Sequence, residues 1–126
     1  MRKARPQSHC LDSDIREIAQ RLGKDAKAFS GSRILLCGGA GFLGRYFSSV
    51  FALLNDRVLA KPCRVIICDN FITSGQLGAN VIERNGFSFK KHDIIKPLRL
   101  TTPLDFIIQA AGIASPYYYR KYPLET

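Results

Sequence analysis

The sequence predicts an α/β fold with a parallel sheet, on three observations. Three short apolar runs, Ile34-Leu35-Leu36, Val65-Ile66-Ile67 and Phe106-Ile107-Ile108, have the continuous pattern of strands buried on both faces. Between the first two lies a helical pattern, with Phe42, Leu43, Tyr46, Phe47, Val50, Phe51 and Leu54 at three- and four-residue spacings. A glycine cluster, Gly38, Gly39, Gly41 and Gly44, joins the first strand to that helix. Strands alternating with crossovers imply parallel pairing and right-handed connections.

The glycines fit two registers. Gly38, Gly41 and Gly44 read as G-x-x-G-x-x-G, and Gly39, Gly41 and Gly44 as G-x-G-x-x-G. The first pair lets the chain leave the strand in a tight turn through backbone angles closed to other residues. Gly41 has no side chain to hold a diphosphate off the backbone, and Gly44 lets the helix pack closely on the strand. Free N–H groups and the helix dipole then favour an anion at the helix start. A second apolar strand ends in Asp69, about one βαβ half-unit on, where a carboxylate accepts hydrogen bonds from ribose hydroxyls. The combination predicts a dinucleotide site rather than an ordinary turn.

The first strand is expected at 33–37, its helix at 42–55 and the second strand at 64–68. A helical or irregular stretch follows over 76–84, then a short third strand at 87–90 and His92-Asp93-Ile94. The fourth strand is expected at 104–109 and ends in Ala110-Ala111-Gly112. The tail from Ile113 is rich in Tyr and Pro and carries no predicted element. Ahead of the first strand, Asp12 or Ser13 can cap an amphipathic helix to about Leu22, with Ile15, Ile18, Ala19 and Leu22 on one face and Gly23 as its stop. That helix is either a packing appendage or an oligomer contact. Residues 1–32 thus form a basic extension with a short helix, and 33–126 a partial nucleotide-binding domain.

Composition bounds the function. With 126 residues the chain is one domain's worth, and 46% hydrophobic content suffices for a core. The formal net charge of +9 would suit nucleic acid, but the basic residues are scattered, without aromatic interleaving or zinc-finger spacing. A basic surface also suits a polyanionic nucleotide. Cys10, Cys37, Cys63 and Cys68 form no C-x-x-C, and Cys37 and Cys68 fall in buried strands as small hydrophobes. They read as reduced, which implies a cytoplasmic setting. No apolar run has membrane-spanning length, and no metal-ligand cluster is visible.

Four motifs in order, Gly38-Gly39-Ala40-Gly41-Phe42-Leu43-Gly44, Asp69-Asn70-Phe71, His92-Asp93-Ile94 and the small cluster after the fourth strand, resemble the extended short-chain dehydrogenase/reductases. These are NAD-dependent epimerases and dehydratases of nucleotide sugars. Ala114-Ser115-Pro116, with Tyr119, Pro123 and Thr126, is similar in spacing to the UDP-glucuronate decarboxylases among them. The resemblance covers about 33–126 and implies a Rossmann-type doubly wound sheet, here incomplete at about four strands. It implies that the turn from Gly38 to Gly44, through Gly41, Phe42 and Leu43, holds the cofactor diphosphate. Asp69 would take the adenosine ribose, and its charge favours NAD over NADP. Asn70, Phe71, Ser74 and Gly75 would line the adenosine end, and Asp93 and Ile94 would meet the adenine. Ala110, Ala111 and Gly112 would leave room for a cofactor ribose. Leu98 and Arg99 would approach the substrate, a UDP- or dTDP-sugar; Arg99 is otherwise a solvated loop cation.

The resemblance also implies a difference. Relatives are about twice as long or longer, and their catalytic Tyr-x-x-x-Lys pair lies further downstream on a long helix. Tyr117 and Lys121 match that spacing but follow the fourth strand too closely, so no catalytic residue is expected here and the chain alone is expected to be inactive. The reading is the NAD-binding N-terminal part of a nucleotide-sugar epimerase, dehydratase or decarboxylase. The alternative is a short dinucleotide-binding or oligomerisation module without catalysis. Neither nucleic acid nor membrane is an expected partner. The fourth strand, left as a sheet edge, predicts self-association.

Overall fold

The computed structural model describes residues 12–70, 86–112 and 116–124. Helix α1, Asp12–Leu22, runs into a 3-10 helix, Gly23–Phe29. Strand β1 is Arg33–Cys37, helix α2 Phe42–Arg57 and strand β2 Arg64–Asp69. Strand β3, Phe87–Lys91, strand β4, Phe106–Gln109, and a short helix α3, Pro116–Lys121, follow. The four strands form one sheet in the order β3-β2-β1-β4, every pair parallel. That order runs outward from β1 to β2 and β3 on one side and switches to β4 on the other. The architecture is an incomplete Rossmann-type α/β fold with a helix ahead of the first strand.

Helix α2 covers one sheet face. Ile34 and Leu36 of β1, with Val65 and Ile67 of β2, are fully buried against Val50, Phe51 and Leu54. Phe29 closes this layer, its ring 5.1 Å from both Phe51 and Phe106. Helix α1 lies on α2, with Ile15 buried, and the Tyr46 hydroxyl donates to Asp14 Oδ2 at 2.9 Å. The exposed Arg21–Glu17 pair on α1 adds little, as surface ion pairs do. The expected stop at Gly23 is where the α-helix ends: Gly23 has φ of 51°, the left-handed region that glycine enters freely.

On the opposite face Leu35, Cys37 and Cys68 are buried beneath Leu98, Leu100 and Leu104, which belong to irregular chain. Here one expectation fails. The apolar run 106–108 predicts Ile107 buried between two layers, yet it is 66% exposed. Its strand is a sheet edge, and the cover over this face reaches Leu35 and Cys37 of β1 without sealing β4. Strand β4 also begins at Phe106, two residues later than expected: Asp105 sits outside it, its side chain accepting the Arg33 N–H at 2.8 Å.

Two further differences have local causes. Helix α2 runs past Asn55 to Arg57, because the Asn55 amide is used sideways. Its Nδ2 donates to the Cys63 carbonyl at 3.0 Å, and its Oδ1 accepts the Cys63 N–H at 2.8 Å. The residue that reads as a loop start is thus a clamp between the helix end and the start of β2. The Tyr-rich tail contains α3, which starts at Pro116, a residue suited to the first helical position, and stacks its own aromatics, Tyr118 on Tyr122 at 6.1 Å. Among the described residues no helix is long and apolar enough to cross a membrane.

Candidate functional site: the glycine turn at the strand ends

β1 leaves the sheet at Cys37, and the next residue turns back over the strand ends. Gly38 has φ of 75°, strained for any residue with a side chain. Its N–H donates to the Cys68 carbonyl of β2 at 2.7 Å, which ties the turn to the neighbouring strand. A Cβ on Gly38 would come within 2.5 Å of Ala111 Cα and N, so the segment after β4 packs directly on it. Gly39 serves a different purpose, because a Cβ there would run into the Ile67 side chain. Both glycine registers are therefore in use, one for a backbone angle and one for close packing.

Gly41 and Gly44 separate in the same way. Gly41 precedes α2 in extended backbone with φ of −75°, which any residue can adopt. Among the described residues a Cβ there would meet only the Gly38 carbonyl oxygen, at 3.3 Å, so the space it would enter is otherwise open. No side chain caps the helix, and the N–H groups of its first turn have no intrahelical acceptor. They and the helix dipole make an anion-binding surface. At Gly44 a Cβ would overlap the Gly38 carbonyl and lie 2.5 Å from Gly39 Cα, so this glycine seats the helix on the turn itself.

Asp69, the last residue of β2, reaches the same turn. Its Oδ2 accepts the Ala40 N–H at 3.0 Å, and its carbonyl accepts the His92 N–H, also at 3.0 Å. The carboxylate is half-buried, so it keeps its charge beside the glycine turn while holding the turn's shape. Asn70 follows it, half-buried. Phe71, Ser74 and Gly75 lie outside the described residues. Arg45 carries no signal in the sequence except its place in the first turns of α2; its Nε donates to the Ala40 carbonyl at 3.1 Å, which sets a cation beside the glycines.

The remaining candidates divide. Asp93 uses its side chain locally: Oδ1 accepts the Ile95 N–H at 3.2 Å, and its carbonyl the Lys96 N–H at 3.0 Å. Ile94 is 39% exposed beside it. His92 Nε2 lies 3.0 Å from the Lys96 carbonyl, a contact that needs a proton on Nε2. Ala110 continues the ladder to the Cys37 carbonyl at 2.9 Å, Ala111 N–H is taken by Gln109 Oε1 at 3.0 Å, and a Cβ on Gly112 would meet no atom of the described residues within 4 Å. Leu98 packs over Leu35, Cys37 and Cys68, whereas Arg99 is exposed. In α3 the Lys121 ammonium sits 5.9 Å from the Tyr117 ring centre and 5.3 Å from that of Tyr122. A hydrogen bond with Tyr122 raises the Lys121 pKa.

Three thiols lie in or next to the strands. Cys37, Cys63 and Cys68 are free and buried. Desolvation raises all three, and Cys68 is pushed to about 11 by burial first and then by neighbouring Cys37 and Asp69. Among the described residues no cluster of His, Cys, Asp and Glu could hold a metal ion.

The chain is similar to a set of plant and animal enzymes. It is 34% identical over 99 residues to UDP-glucuronic acid decarboxylase 2 of Arabidopsis thaliana, covering 76% of this chain and 20% of that protein. It is 33% identical over 95 residues to UDP-glucuronic acid decarboxylase 1 of Danio rerio, covering 75% and 21%. Against UDP-glucuronic acid decarboxylase 6 of Arabidopsis thaliana it is 31% identical over 105 residues, covering 82% and 28%. The chain thus spans between a fifth and about a quarter of the length of these relatives. No family model matches it, and no solved structure matches it significantly. Over the residues it shares with them, the chain's homologues are UDP-glucuronic acid decarboxylases, which are members of the extended short-chain dehydrogenase/reductase family.

Proposed function

We propose that this chain forms the adenosine–diphosphate half of an NAD site in a nucleotide-sugar decarboxylase. The observation that carries the reading is the hydrogen bond from Ala40 N–H to Asp69 Oδ2. It joins the two halves of a dinucleotide fingerprint, glycine turn and acidic strand end, at the carboxyl edge of a parallel sheet. The fit is physical as well. The space that a Gly41 Cβ would enter is otherwise open, α2 offers uncapped N–H groups, and Gly38 holds the turn clear of any side chain.

The roles we propose combine that geometry with the resemblance. Backbone N–H groups of Phe42, Leu43 and Gly44 bind the diphosphate. Asp69 orients the adenosine ribose by accepting its hydroxyl protons, and its negative charge disfavours a 2′-phosphate. Asn70, Phe71, Ser74, Gly75, Asp93 and Ile94 surround the adenosine, and Ala110, Ala111 and Gly112 leave space for the second ribose. Leu98 and Arg99 are proposed to border the sugar nucleotide, Arg99 by charge. When bound, NAD supplies reversible hydride acceptance, which in a nucleotide-sugar decarboxylase turns C4 of the sugar into a ketone and permits loss of the carboxylate. We assign no catalytic residue, and the chain alone is expected to bind without turnover.

Calorimetric titration of the chain with NAD, and with its Asp69→Ala and Asp69→Asn variants, tests the reading. Asn keeps an acceptor for the Ala40 N–H but loses the charge, so both variants should bind more weakly while Asn preserves the fold better. Equal binding by wild type and Asp69→Ala refutes the ribose assignment. NADP binding as tightly as NAD refutes the charge argument.

A further inference from the structure

We propose that Cys37 and Cys68 are an oxidisable thiol pair, closing to a reversible disulfide beneath the glycine turn. The pairing is set by the sheet. Cys37 of β1 and Cys68 of β2 are register partners, and both side chains lie on the same face, with Leu35. The Cys68 thiol lies 4.0 Å from the His92 carbonyl, to which it donates, and after burial Cys37 is among the neighbours that raise its pKa. Neighbouring strands run about 4.8 Å apart, inside the roughly 4.4–6.8 Å separation of Cα atoms that a disulfide bridges. Register partners on parallel strands keep their Cβ atoms near the strand spacing, whereas a disulfide favours about 3.8 Å. Closure therefore draws the strand ends together and strains the link, and strained disulfides are the easily reduced ones.

The consequence falls on the turn. Gly38 is bonded covalently to Cys37, and its N–H donates to the carbonyl of Cys68. Any movement of the two strand ends is passed to Gly38 and from there to Gly41 and Gly44. Access is also built in: among the described residues the cover over this face is the irregular chain carrying Leu98, Leu100 and Leu104. Such segments open locally at lower free energy than packed helices. Cys37 is 6% accessible and Cys68 is fully enclosed, so Cys37 meets the oxidant first. With hydrogen peroxide as oxidant, the Cys37 thiolate attacks a peroxide oxygen, the O–O bond breaks, and a sulfenic acid and hydroxide form; the hydroxide takes a proton. The Cys68 sulfur, losing its own proton, then attacks the Cys37 sulfur, the S–S bond forms and the S–O bond breaks, releasing a second water. Two thiols are oxidised by two electrons and one peroxide is reduced to two waters. Asp69 and Lys90 are the charges that act on Cys68, the first against its thiolate and the second for it.

The disulfide stands independently of the NAD reading; its effect on the cofactor rests on it. The test uses the Cys10→Ser/Cys63→Ser variant, which keeps only this pair, treated with hydrogen peroxide. Intact mass should show loss of two hydrogen atoms in a monomer, reversed by dithiothreitol, and a digest should link the Cys37 and Cys68 peptides. The closing rate should rise with pH, because thiolates are the nucleophiles. Gain of oxygen without hydrogen loss, cross-linking between chains, or inert thiols under conditions that oxidise the urea-unfolded chain would each overturn the proposal. Oxidised chain should then bind NAD roughly tenfold or more weakly than reduced chain, about 1.4 kcal/mol. A disulfide that forms and leaves NAD affinity unchanged overturns the switch and spares the NAD site. A disulfide that forms in a chain binding no NAD in either state overturns the proposed function and spares the disulfide.

Discussion

Two glycines three residues apart should respond in opposite ways to a single methyl group. In Gly44→Ala the new Cβ overlaps the Gly38 carbonyl and stands 2.5 Å from Gly39 Cα and 2.7 Å from Gly39 C. All three are backbone atoms of the turn, so none can swing aside. Relief requires helix and turn to part by roughly 1 Å, and forced overpacking of this kind costs about 1–3 kcal/mol or more. The gain from replacing glycine in the unfolded chain is only about 0.4–1 kcal/mol. Gly44→Ala should therefore lose about 2 kcal/mol. In Gly41→Ala the Cβ meets one atom at 3.3 Å, in backbone that accepts alanine. The loss of a glycine cap and the unfolded-state gain nearly cancel, and stability should stay within about 1 kcal/mol of wild type. Its methyl points where the diphosphate is proposed to lie, so NAD affinity should fall at least roughly tenfold. Urea unfolding followed by circular dichroism reads the first effect, and calorimetric titration the second. If Gly44→Ala unfolds within 0.5 kcal/mol of wild type, on the order of a silent surface change, the close seating of α2 on the turn is wrong. If Gly41→Ala binds NAD undiminished, the open side of Gly41 is not the diphosphate site.

Asn55→Ala removes both hydrogen bonds to Cys63 and leaves its backbone groups unpaired next to the core; urea unfolding should show a loss of about 1–3 kcal/mol, more than a generic surface mutant. Ile107→Lys places a charge on an exposed position of the β4 edge, so sedimentation should show less self-association with stability nearly unchanged. Tyr46→Phe severs the hydroxyl bond to Asp14 and should free α1, read as faster amide exchange in α1 but not in β1. The Cys68 thiol, pushed to about 11 from its ordinary 9.0, holds its proton longer folded than unfolded. The folded state then binds more protons between those values, so stability should be full below about pH 9 and fall as pH rises to 11, by at most roughly 2–3 kcal/mol. Cys68→Ser should flatten that fall, and an unchanged profile in the variant would show another group to be responsible.

Local patterns along the chain specify those parts of the molecule that need no distant partner. Continuous apolar runs at 34–36 and 65–67 identify the two central strands, because both of their faces need apolar cover. The glycine cluster identifies the turn, because backbone angles and close approaches demand residues without side chains. The Phe42 to Leu54 spacing identifies the helix between them. The remaining features depend on contacts between residues far apart in the chain. Asn55 reads as a loop start and becomes a clamp because Cys63 stands opposite it. Ile107 reads as core and lies exposed because its strand is an edge with incomplete cover. The tail helix α3 is invisible to an apolar period, since its tyrosines stack on one another rather than face the core. Gly38 and Gly39 are indistinguishable as letters; one needs its φ and the other its clearance from Ile67, a difference that exists only once β2 lies beside β1. Asp69 is legible as an acid at a strand end, but its grip on Ala40 N–H is not. That contact spans 29 residues and forms only when the sheet brings the two strand ends together.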